Sequence, residues 1–304
     1  MRELTIGGRR IADDEPCFVI AEIGNNHQGS VQTAQALIRM ASAAGASAVK
    51  LQVRSNHTLY SRALLDQPYV NENSFGPTYG AHRAALELNL NALAVTQATA
   101  TECGAQWFAT AFDERSADRL MALQVPAIKL ASGAVTDTPL QRHVARLGVP
   151  VILSTGGSTD QEIDRAIETL SAGSGGVALL HCTAAYPLAP AEANLRCLET
   201  LRTRYPETVI GYSSHATALW VPLVAVALGA RIIEVHVTLN RAAKGTDHAF
   251  SLEPRGLATL CEDVRQVPLA LGDGVKRVYA SERGPIAKMR RVQTEDGWQI
   301  TGAR

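Results

Sequence analysis

The stretch FVIAEIGNNHQGSVQTAQALIRMASAAGASAVKLQV, residues 18–53, contains a complete strand–helix–strand unit. Its two ends, FVIAEIG (18–24) and AVKLQV (48–53), are short apolar runs rich in Val and Ile, which predicts buried strands. Between them, VQTAQALIRMASAAG (31–45) has apolar residues at helical spacing and stops at a glycine, as many helices do. Two strands joined by a crossover helix are typical of a parallel sheet.

The same unit recurs along the chain. Six further apolar runs predict strands at residues 107–112, 127–132, 149–155, 176–182, 209–215 and 231–237. Helical patterns lie between them, for example at 115–124, 159–173, 195–206, 218–229 and 254–272. Eight units of this kind predict an α/β fold of the (β/α)8, or TIM-barrel, type. A doubly wound open sheet is the alternative, but no G-x-G-x-x-G follows the first strand and the chain has no P-loop.

The composition argues against several classes of protein. The 304 residues are 46% hydrophobic and carry 29 basic and 29 acidic side chains, without a Lys/Arg run suited to a phosphate backbone, so we expect no nucleic-acid partner. The charged N-terminus lacks the apolar stretch of a signal peptide, and the apolar segment 219–233 is interrupted by Pro222 and Arg231, so we expect no membrane span. Five scattered cysteines without a C-x-x-C pair favour the cytoplasm.

Two segments lie outside the eight units. LTIGGRRI (4–11) alternates around a Gly-Gly pair, and we expect residues 1–15 to form an N-terminal β-hairpin that caps the bottom of the barrel. Residues 57–80 are polar, aromatic and proline-bearing, and they are too long for an ordinary loop between a strand and a helix. We expect this second segment to be a lid over the site.

Polar side chains recur at the same end of every predicted strand. In TIM barrels the carboxyl ends of the strands carry the catalytic residues. The polar residues there are Glu22, Asn25, Asn26, His27, Lys50, Gln52, Thr110, Asp113, Lys129, Ser132, Ser154, Thr155, His181, Thr183, Tyr186, Ser213, His215, Glu234 and His236. A purely structural barrel would need few of them, so the pattern predicts an enzyme.

Lys50 and Lys129 lie inside otherwise apolar strands. A buried ammonium is costly without an anion, which is either a protein carboxylate or a ligand. The neighbouring hydroxyl and amide groups favour a phosphate or carboxylate ligand. Ser-Gly at 132–133 and Ser-Thr-Gly-Gly at 154–157 precede predicted helices, where hydroxyls and backbone amides can bind an anion, although the same residues also make ordinary helix caps.

His215 and His236 end the last two predicted strands, which are neighbours in a barrel. Their imidazoles could bind one divalent metal ion, with Glu22, Glu234 or Asp247 nearby. A histidine without such a partner is more often a structural or surface residue, and this is our interpretation of His57, His82, His143 and His248.

Ten ordered segments resemble one enzyme family. Between about residues 16 and 291 these are AEIGNNHQGS, AVKLQ, TYGAHRAALEL, FATAFD, AIKLASG, VILSTGG, LLHCTAAYP, IGYSSHA, ALGARIIEVHVTL and KGTDHAFSLEP. They are similar, in order and spacing, to the catalytic barrel of the sialic acid synthases, enzymes of the N-acetylneuraminate synthase type. The resemblance implies that residues 16–285 form a barrel that condenses phosphoenolpyruvate with a sugar aldehyde and releases phosphate. It also implies that the enzyme uses Mn²⁺, or another divalent ion such as Mg²⁺ or Co²⁺, as its cofactor. It further implies that the protein is a homo-oligomer, a dimer.

The resemblance also assigns residues. It implies that Glu22, Lys50 and Lys129 are catalytic, Glu22 being the carboxylate that orients or deprotonates a water molecule. His215 and His236 match the metal ligands. Together with the two lysines, the substrate-binding positions are Gln52, Thr110, Ser132, Ser154, Tyr186, Ser213 and Asp247.

The chain departs from the family pattern at several positions. Ala134 stands where sialic acid synthases usually have a glutamate that contacts the amino-sugar acceptor, and Ala184 where they have an asparagine or serine. Ser214 replaces the common aspartate before the metal histidine, and residues 245–248 read GTDH instead of Gly-Pro-Asp-His. We expect residues 286–304 to be a short C-terminal tail without the family's antifreeze-like domain. These departures predict an acceptor other than N-acetylmannosamine, either a different aldose or a non-sugar aldehyde.

Two other functions fit part of the same pattern. A Schiff-base aldolase on this fold would use a strand lysine such as Lys129 as its nucleophile. A non-catalytic binding barrel would keep the phosphate site and lack the acceptor chemistry. The condensing enzyme accounts better for the two lysines, two histidines and Glu22 together, since an idle site gains nothing from metal ligands and a base.

Overall fold

The computed structural model describes residues 2–301. Its strands are β1 Glu3–Ile6, β2 Arg9–Ala12, β3 Phe18–Gly24, β4 Ala48–Val53, β5 Gln106–Ala111, β6 Ile128–Leu130, β7 Val151–Ser154, β8 Val177–Cys182, β9 Val209–Ser214, β10 Ile232–His236, β11 Val292–Thr294 and β12 Gly297–Gln299. Its α-helices are α1 Val31–Ala43, α2 Asn56–Leu59, α3 Arg62–Leu65, α4 Tyr79–Leu86, α5 Leu90–Glu102, α6 Glu114–Ala122, α7 Thr138–Ala145, α8 Asp160–Ser171, α9 Cys197–Arg204, α10 Trp220–Ala227, α11 Pro254–Leu271 and α12 Ala280–Met289. Two 3-10 helices lie at Ser132–Thr136 and Pro190–Glu192.

Strands β3 to β10 form a closed barrel of parallel strands, with at least one helix after each strand. All eight predicted strands are present, and the predicted (β/α)8 barrel is confirmed. Closure pairs β10 with β3, so that Glu22 lies opposite His236 on one side and opposite Lys50 of β4 on the other. The register alone therefore brings a carboxylate, an imidazole and an ammonium together at the C-terminal ends of three strands.

The apolar character of the strands explains the barrel. Every residue of β3 is buried, as expected for a parallel strand covered on both faces. The covering helices contribute one apolar face each, and in α1 this face consists of Ala34, Leu37, Ile38 and Ala41. The Ser30 side chain starts α1 by accepting a hydrogen bond from the Thr33 backbone N–H.

The predicted N-terminal hairpin is also present, as the antiparallel pair β1–β2. Its Ile6 and Ile11 side chains are fully buried in the barrel core. The Gln106 amide, at the start of β5, donates to the Gly7 carbonyl at 3.2 Å, and Arg9 lies over the Phe18 ring at the start of β3. The hairpin thus covers the N-terminal ends of the strands, opposite the end that carries the polar residues.

Residues from Leu269 onward form a second, smaller compact unit, while the first unit ends at Pro268. The second unit contains α12 and the antiparallel pair β11–β12. The side chains of this second unit are largely exposed. None of the helices within residues 2–301 has the length and apolar character needed to cross a bilayer.

Candidate active site

A cavity of about 690 Å³ opens at the C-terminal ends of the barrel strands. Every residue that the sequence assigned to the site lines it: Glu22, Lys50, Gln52, Thr110, Lys129, Ser132, Ser154, Tyr186, Ser213, His215, His236 and Asp247. The structure therefore brings together residues that are spread over more than two hundred positions of the chain. A concave site with convergent polar groups is the usual form of an active site.

Glu22 and Lys50 form a buried ion pair at the bottom of this cavity. The Lys50 Nζ lies 2.6 Å from the Glu22 Oε2, and the two side chains are 2% and 1% exposed. The second oxygen of Glu22 accepts a hydrogen bond of 2.8 Å from the Gln52 amide. Lys50 also donates to the Thr110 hydroxyl at 2.9 Å, and it lies 3.5 Å from Glu234. Lys50 therefore already has protein carboxylates as partners.

Lys129 has a different environment. Its ammonium donates to the Ser154 hydroxyl at 2.7 Å and to the Leu130 carbonyl at 3.0 Å. Among residues 2–301, no carboxylate lies within ion-pair distance of Lys129, although the side chain is 2% exposed. Burial lowers the pKa of this ammonium, against the attraction of Glu234. A buried cation with neutral partners is well suited to bind an anionic ligand.

The two buried carboxylates have opposite proton affinities. Burial raises the pKa of Glu22 to about 7, and the Lys50 charge only partly opposes this effect. Burial acts in the same direction on Glu234, but there Lys129 and Lys50 prevail and hold the pKa at about 2. Burial therefore makes Glu22 a stronger proton acceptor than an ordinary carboxylate, as suits a general base, whereas the lysines keep Glu234 ionised.

Two loops close the Lys129 side of the cavity. The Gly156 backbone N–H donates to the Ser132 hydroxyl at 2.9 Å, which joins the loop after β6 to the loop after β7. Residues 154–157 precede α8 as predicted, and α8 begins shortly after them, at Asp160 with Thr159 as its N-cap. Residues 132–136 form a 3-10 helix. Hydroxyls and amides of loops, not the start of α8, therefore lie beside Lys129.

His215 and His236 face each other, with ring centroids 5.4 Å apart. The Nδ1 of His215 lies 3.0 Å from the Thr183 carbonyl and must carry its proton, which leaves Nε2 as a free lone pair. The buried Nδ1 of His236 has no hydrogen-bond partner, and Asp247 Oδ2 is 3.6 Å away. Phe250 packs against both rings, and burial lowers both pKa values, that of His215 to about 4.

These two neutral imidazoles fit a divalent metal ion, because both line the cavity and each keeps a ring nitrogen without a hydrogen-bond partner. Within the described part of the chain, no group of three His, Cys, Asp or Glu side chains is arranged to hold a metal. The two histidines would therefore be the protein ligands, and the remaining positions would be open to water or substrate. The other histidines lie elsewhere; His143, for example, contacts Asp118 on the surface.

The segment predicted as a lid lies against the mouth of the cavity. Residues 57–80 contain parts of α2 and all of α3, and Asn73 lines the cavity while its side chain accepts from the Gly245 N–H at 2.9 Å. The Lys244 ammonium lies over the Phe75 ring. This segment thus joins the loop that carries Asp247.

Several residues of the cavity were absent from the sequence-based site. Arg54, Asn73, Arg83, Phe112, Cys182, Ala184 and Thr246 all contribute to the lining. Arg54 and Phe112 directly follow strands, so their position after a strand was the available signal. Asn73 and Arg83 come from the long excursion between β4 and β5, where no periodic pattern indicates which side chains face the barrel.

The comparison with known proteins agrees with this geometry. The model of the NeuB family matches residues 37–276. The chain belongs to the NeuB family. It is 39% identical to the N-acetylneuraminate-9-phosphate synthase of Drosophila melanogaster, over 87% of this chain and 73% of that protein. It is 34% identical to the N,N'-diacetyllegionaminic acid synthase of Legionella pneumophila, over 95% of this chain and 82% of that protein.

A solved structure supports the same assignment. The N-acetylneuraminic acid synthetase of Leptospira borgpetersenii, in complex with citrate, superposes with a TM-score of 0.81 at 32% identity, covering 94% of this chain and 95% of that one. The resemblance found in the sequence is confirmed, and the protein is an enzyme of this synthase family. The relatives differ in the sugar acid that they make, so the NeuB family alone does not name the acceptor.

Proposed function

We propose that this NeuB-family enzyme joins phosphoenolpyruvate to an aldehyde, a sugar aldose, to give a 2-keto-3-deoxy acid and inorganic phosphate. The observation that carries the proposal is Lys129, a buried ammonium without a carboxylate partner in the described chain, in the same cavity as Glu22 and two neutral imidazoles. An anion site, a base and a Lewis-acid site within 690 Å³ are the set that such a condensation needs.

Phosphoenolpyruvate carries two anionic groups, and the cavity offers donors for both. Lys129, Ser132 and Ser154 form one group, joined by the Gly156 contact. Lys50, Thr110 and Ser213 form the other, although Lys50 is shared with Glu22 and Glu234. Charge-assisted hydrogen bonds from ammonium and hydroxyl groups would hold the substrate with its carbon atoms toward the centre of the cavity.

The chemistry follows from these positions. C3 of phosphoenolpyruvate attacks the aldehyde carbon, a C–C bond forms, and C2 is left electron-deficient. Water adds to C2 as Glu22 removes its proton, which requires the ionised carboxylate, and a proton passes to the former aldehyde oxygen to give a hydroxyl group. The resulting tetrahedral adduct collapses: the C2 carbonyl forms, the C2–O bond to phosphate breaks, and phosphate leaves. Gln52, Tyr186 and Asp247 would contact the acceptor.

We also propose that the enzyme needs a divalent ion, Mn²⁺ or alternatively Mg²⁺ or Co²⁺. His215 and His236 would hold it, because each has a ring nitrogen with a free lone pair and because burial lowers the pKa of both, which keeps them neutral. The ion would polarise the acceptor aldehyde, which makes the carbonyl carbon more susceptible to attack. Binding of Mn²⁺ measured by calorimetry, with and without these imidazoles, tests this part without turnover.

The acceptor that we propose is an aldose other than N-acetylmannosamine. The support is local: Ala184 lines the cavity, and Ala134 is a buried residue whose carbonyl accepts from the Gln141 amide. At both positions the sialic acid synthase pattern has larger polar side chains. Ala184 in the cavity offers no polar contact to an amino sugar and leaves room for other substituents, and Ala134 lies one residue from Gly133, which lines the cavity.

The assembly that we propose is a homo-oligomer, a dimer, in the cytoplasm. Trp220 and Val224 lie one turn apart on α10 and are 55% and 41% exposed, which is a small apolar surface of the kind found at interfaces. All five cysteines are free thiols, in agreement with a reducing compartment. Light scattering at several concentrations would measure the mass in solution.

A Schiff-base aldolase is the second candidate. The observation in its favour is the lowered pKa of Lys129, since a nucleophilic lysine must lose its proton. Borohydride in the presence of a keto acid would trap such an enzyme at Lys129 and leave the condensing enzyme unmodified. Full activity in EDTA would also favour the aldolase.

The decisive experiment is phosphate release from phosphoenolpyruvate with Mn²⁺ across a panel of aldoses and other aldehydes, including N-acetylmannosamine. We expect release with at least one acceptor and none in EDTA. Preference for N-acetylmannosamine would contradict the proposed acceptor only. Absence of release with every acceptor, under conditions where phosphoenolpyruvate binds, would contradict the proposed reaction.

A further inference from the structure

Arg54 lies behind the proposed base and contacts it through one intermediate side chain. The residue directly follows β4, is 7% exposed, and lines the cavity together with Gln52. Its guanidinium donates to the Gln52 side-chain carbonyl, and the Gln52 NH2 group donates to Glu22 at 2.8 Å. A continuous chain of hydrogen bonds thus connects Arg54, Gln52 and Glu22.

The orientation of the Gln52 amide decides whether its contact stabilises the ionised form of Glu22. An amide can present either its NH2 group or its carbonyl oxygen to a carboxylate, and only the NH2 group stabilises the ionised form. A guanidinium has donors only. Because Arg54 occupies the far side of the amide, the carbonyl oxygen must face Arg54 and the NH2 group must face Glu22.

Arg54 is itself held in place from three sides. Glu87 accepts two hydrogen bonds of 3.2 Å, one from the Arg54 backbone N–H and one from its Nη1. The guanidinium lies 4.0 Å above the Phe112 ring, and Asn25 accepts a longer bond of 3.4 Å. Since the Glu87 carboxylate offsets the Arg54 charge, the effect on Glu22 passes through the Gln52 dipole more than through the field of the guanidinium.

We infer that Arg54 is a positioning residue, which fixes the Gln52 amide with its NH2 group on Glu22 and so keeps the base ready to accept a proton from water. The inference rests on the proposed role of Glu22. It also has a consequence for the acceptor: the Gln52 carbonyl oxygen is taken by Arg54, so toward the cavity Gln52 acts only as a donor. The group of the acceptor that meets Gln52 is then an oxygen with a free lone pair, not an N–H.

A double-mutant cycle tests the inference. Arg54→Gln should lower kcat about 10-fold to 100-fold, the range expected for a misplaced catalytic group, with little change in the KM for phosphoenolpyruvate. In a Gln52→Leu background the same change should alter kcat less than about 2-fold, because no amide is left to orient. Arg54→Lys, which cannot reach Gln52 and Glu87 together, should lower kcat in the same way while better preserving the fold.

The control is Arg62→Gln, which changes an arginine of the same excursion whose side chain is 94% exposed and pairs with Asp66. It should leave kcat unchanged. Equal losses of kcat from Arg54→Gln in both backgrounds would overturn the inference, because Arg54 would then act by holding the loop. Wild-type kcat in Arg54→Gln and Arg54→Lys would overturn it as well.

A second measurement does not depend on turnover and separates this inference from the proposed function. The side-chain NH2 signal of Gln52 in a ¹H–¹⁵N spectrum, identified by its loss in Gln52→Leu, should shift or broaden in Arg54→Gln and stay in place in Arg62→Gln. An unchanged signal in Arg54→Gln would show that Arg54 does not fix the amide. A wild-type enzyme that releases no phosphate, with the expected NMR change, would refute only the proposed reaction.

Discussion

The Lys50 ammonium lies 2.6 Å from the Glu22 carboxylate, at a point where neither side chain is more than 2% exposed. With Lys129 and Glu234, this pair makes a buried group of two positive and two negative charges. The net charge of this group is zero, so a substrate with two anionic groups carries more negative charge than Lys129 alone can offset. A divalent cation at His215 and His236 would offset that charge, which gives a physical reason for substrate and metal to bind together.

Loss of Lys50 should therefore cost both stability and activity. In Lys50→Met the buried Glu22 has lost its partner and must take up a proton at neutral pH, and we expect the free energy of unfolding to fall by about 3 kcal/mol. Phosphate release should be abolished. Adding Glu22→Gln to this variant should recover most of the stability but none of the activity, as measured by denaturant unfolding and phosphate release. Equal instability of the single and double variants would mean that packing, not charge, is what Lys50 supplies.

The rate should depend on pH through Glu22. Because burial raises its pKa to about 7, and because only the ionised form accepts a proton, kcat should fall about tenfold per pH unit below 7 and level off above it. Glu22→Gln should bind phosphoenolpyruvate normally and lower kcat by about 10²–10⁴. Its residual rate should lack the acid limb. A variant with full activity and the same pH profile would remove Glu22 from the mechanism.

The sequence indicated which side chains the barrel strands bring together in the cavity. Apolar runs located the strands, and the polar residue at each strand end indicated Glu22, Lys50 and Lys129, because chain direction and side-chain alternation place these groups in one layer. The sequence could not indicate Asn73, since its contact with Gly245 joins parts of the chain 172 residues apart. The sequence also could not indicate that Lys50 pairs with Glu22 whereas Lys129 contacts Ser154. These partners depend on the register between strands, which the sequence of a single strand does not show.

The two histidines should be necessary for metal binding. His215→Ala and His236→Ala should each abolish metal-dependent turnover and remove the rise in Tm that Mn²⁺ gives to the wild-type protein, because a ligand stabilises only a fold that binds it. His143→Ala is the matched control, since this histidine contacts exposed Asp118. Scanning calorimetry with and without Mn²⁺ measures the effect. If both variants keep the Mn²⁺ response, the metal binds elsewhere.

The turn after β3 should contribute to stability and activity through one close contact, between Gly29 and α4. Gly29 has a φ of +76°, and a Cβ atom there would lie 2.2 Å from the Ala85 carbonyl oxygen in α4. Gly29→Ala must therefore displace α4, which is followed directly by Glu87, the residue that holds Arg54. We expect a loss of stability and, since the Arg54 contact moves with the helix, a lower kcat.

Gly104→Ala separates the effect of backbone strain from the effect of displacing α4. Gly104 has a φ of +73°, and a Cβ atom there meets nothing within 4 Å, so this variant bears only the cost of a left-handed backbone, about 1–2 kcal/mol. We expect Gly29→Ala to lose more stability than Gly104→Ala in denaturant unfolding, and only Gly29→Ala to lower kcat. Equal losses of stability in both variants would show that α4 can move away from the new Cβ atom at little cost. The turn would then only connect β3 to α1, without positioning the lid.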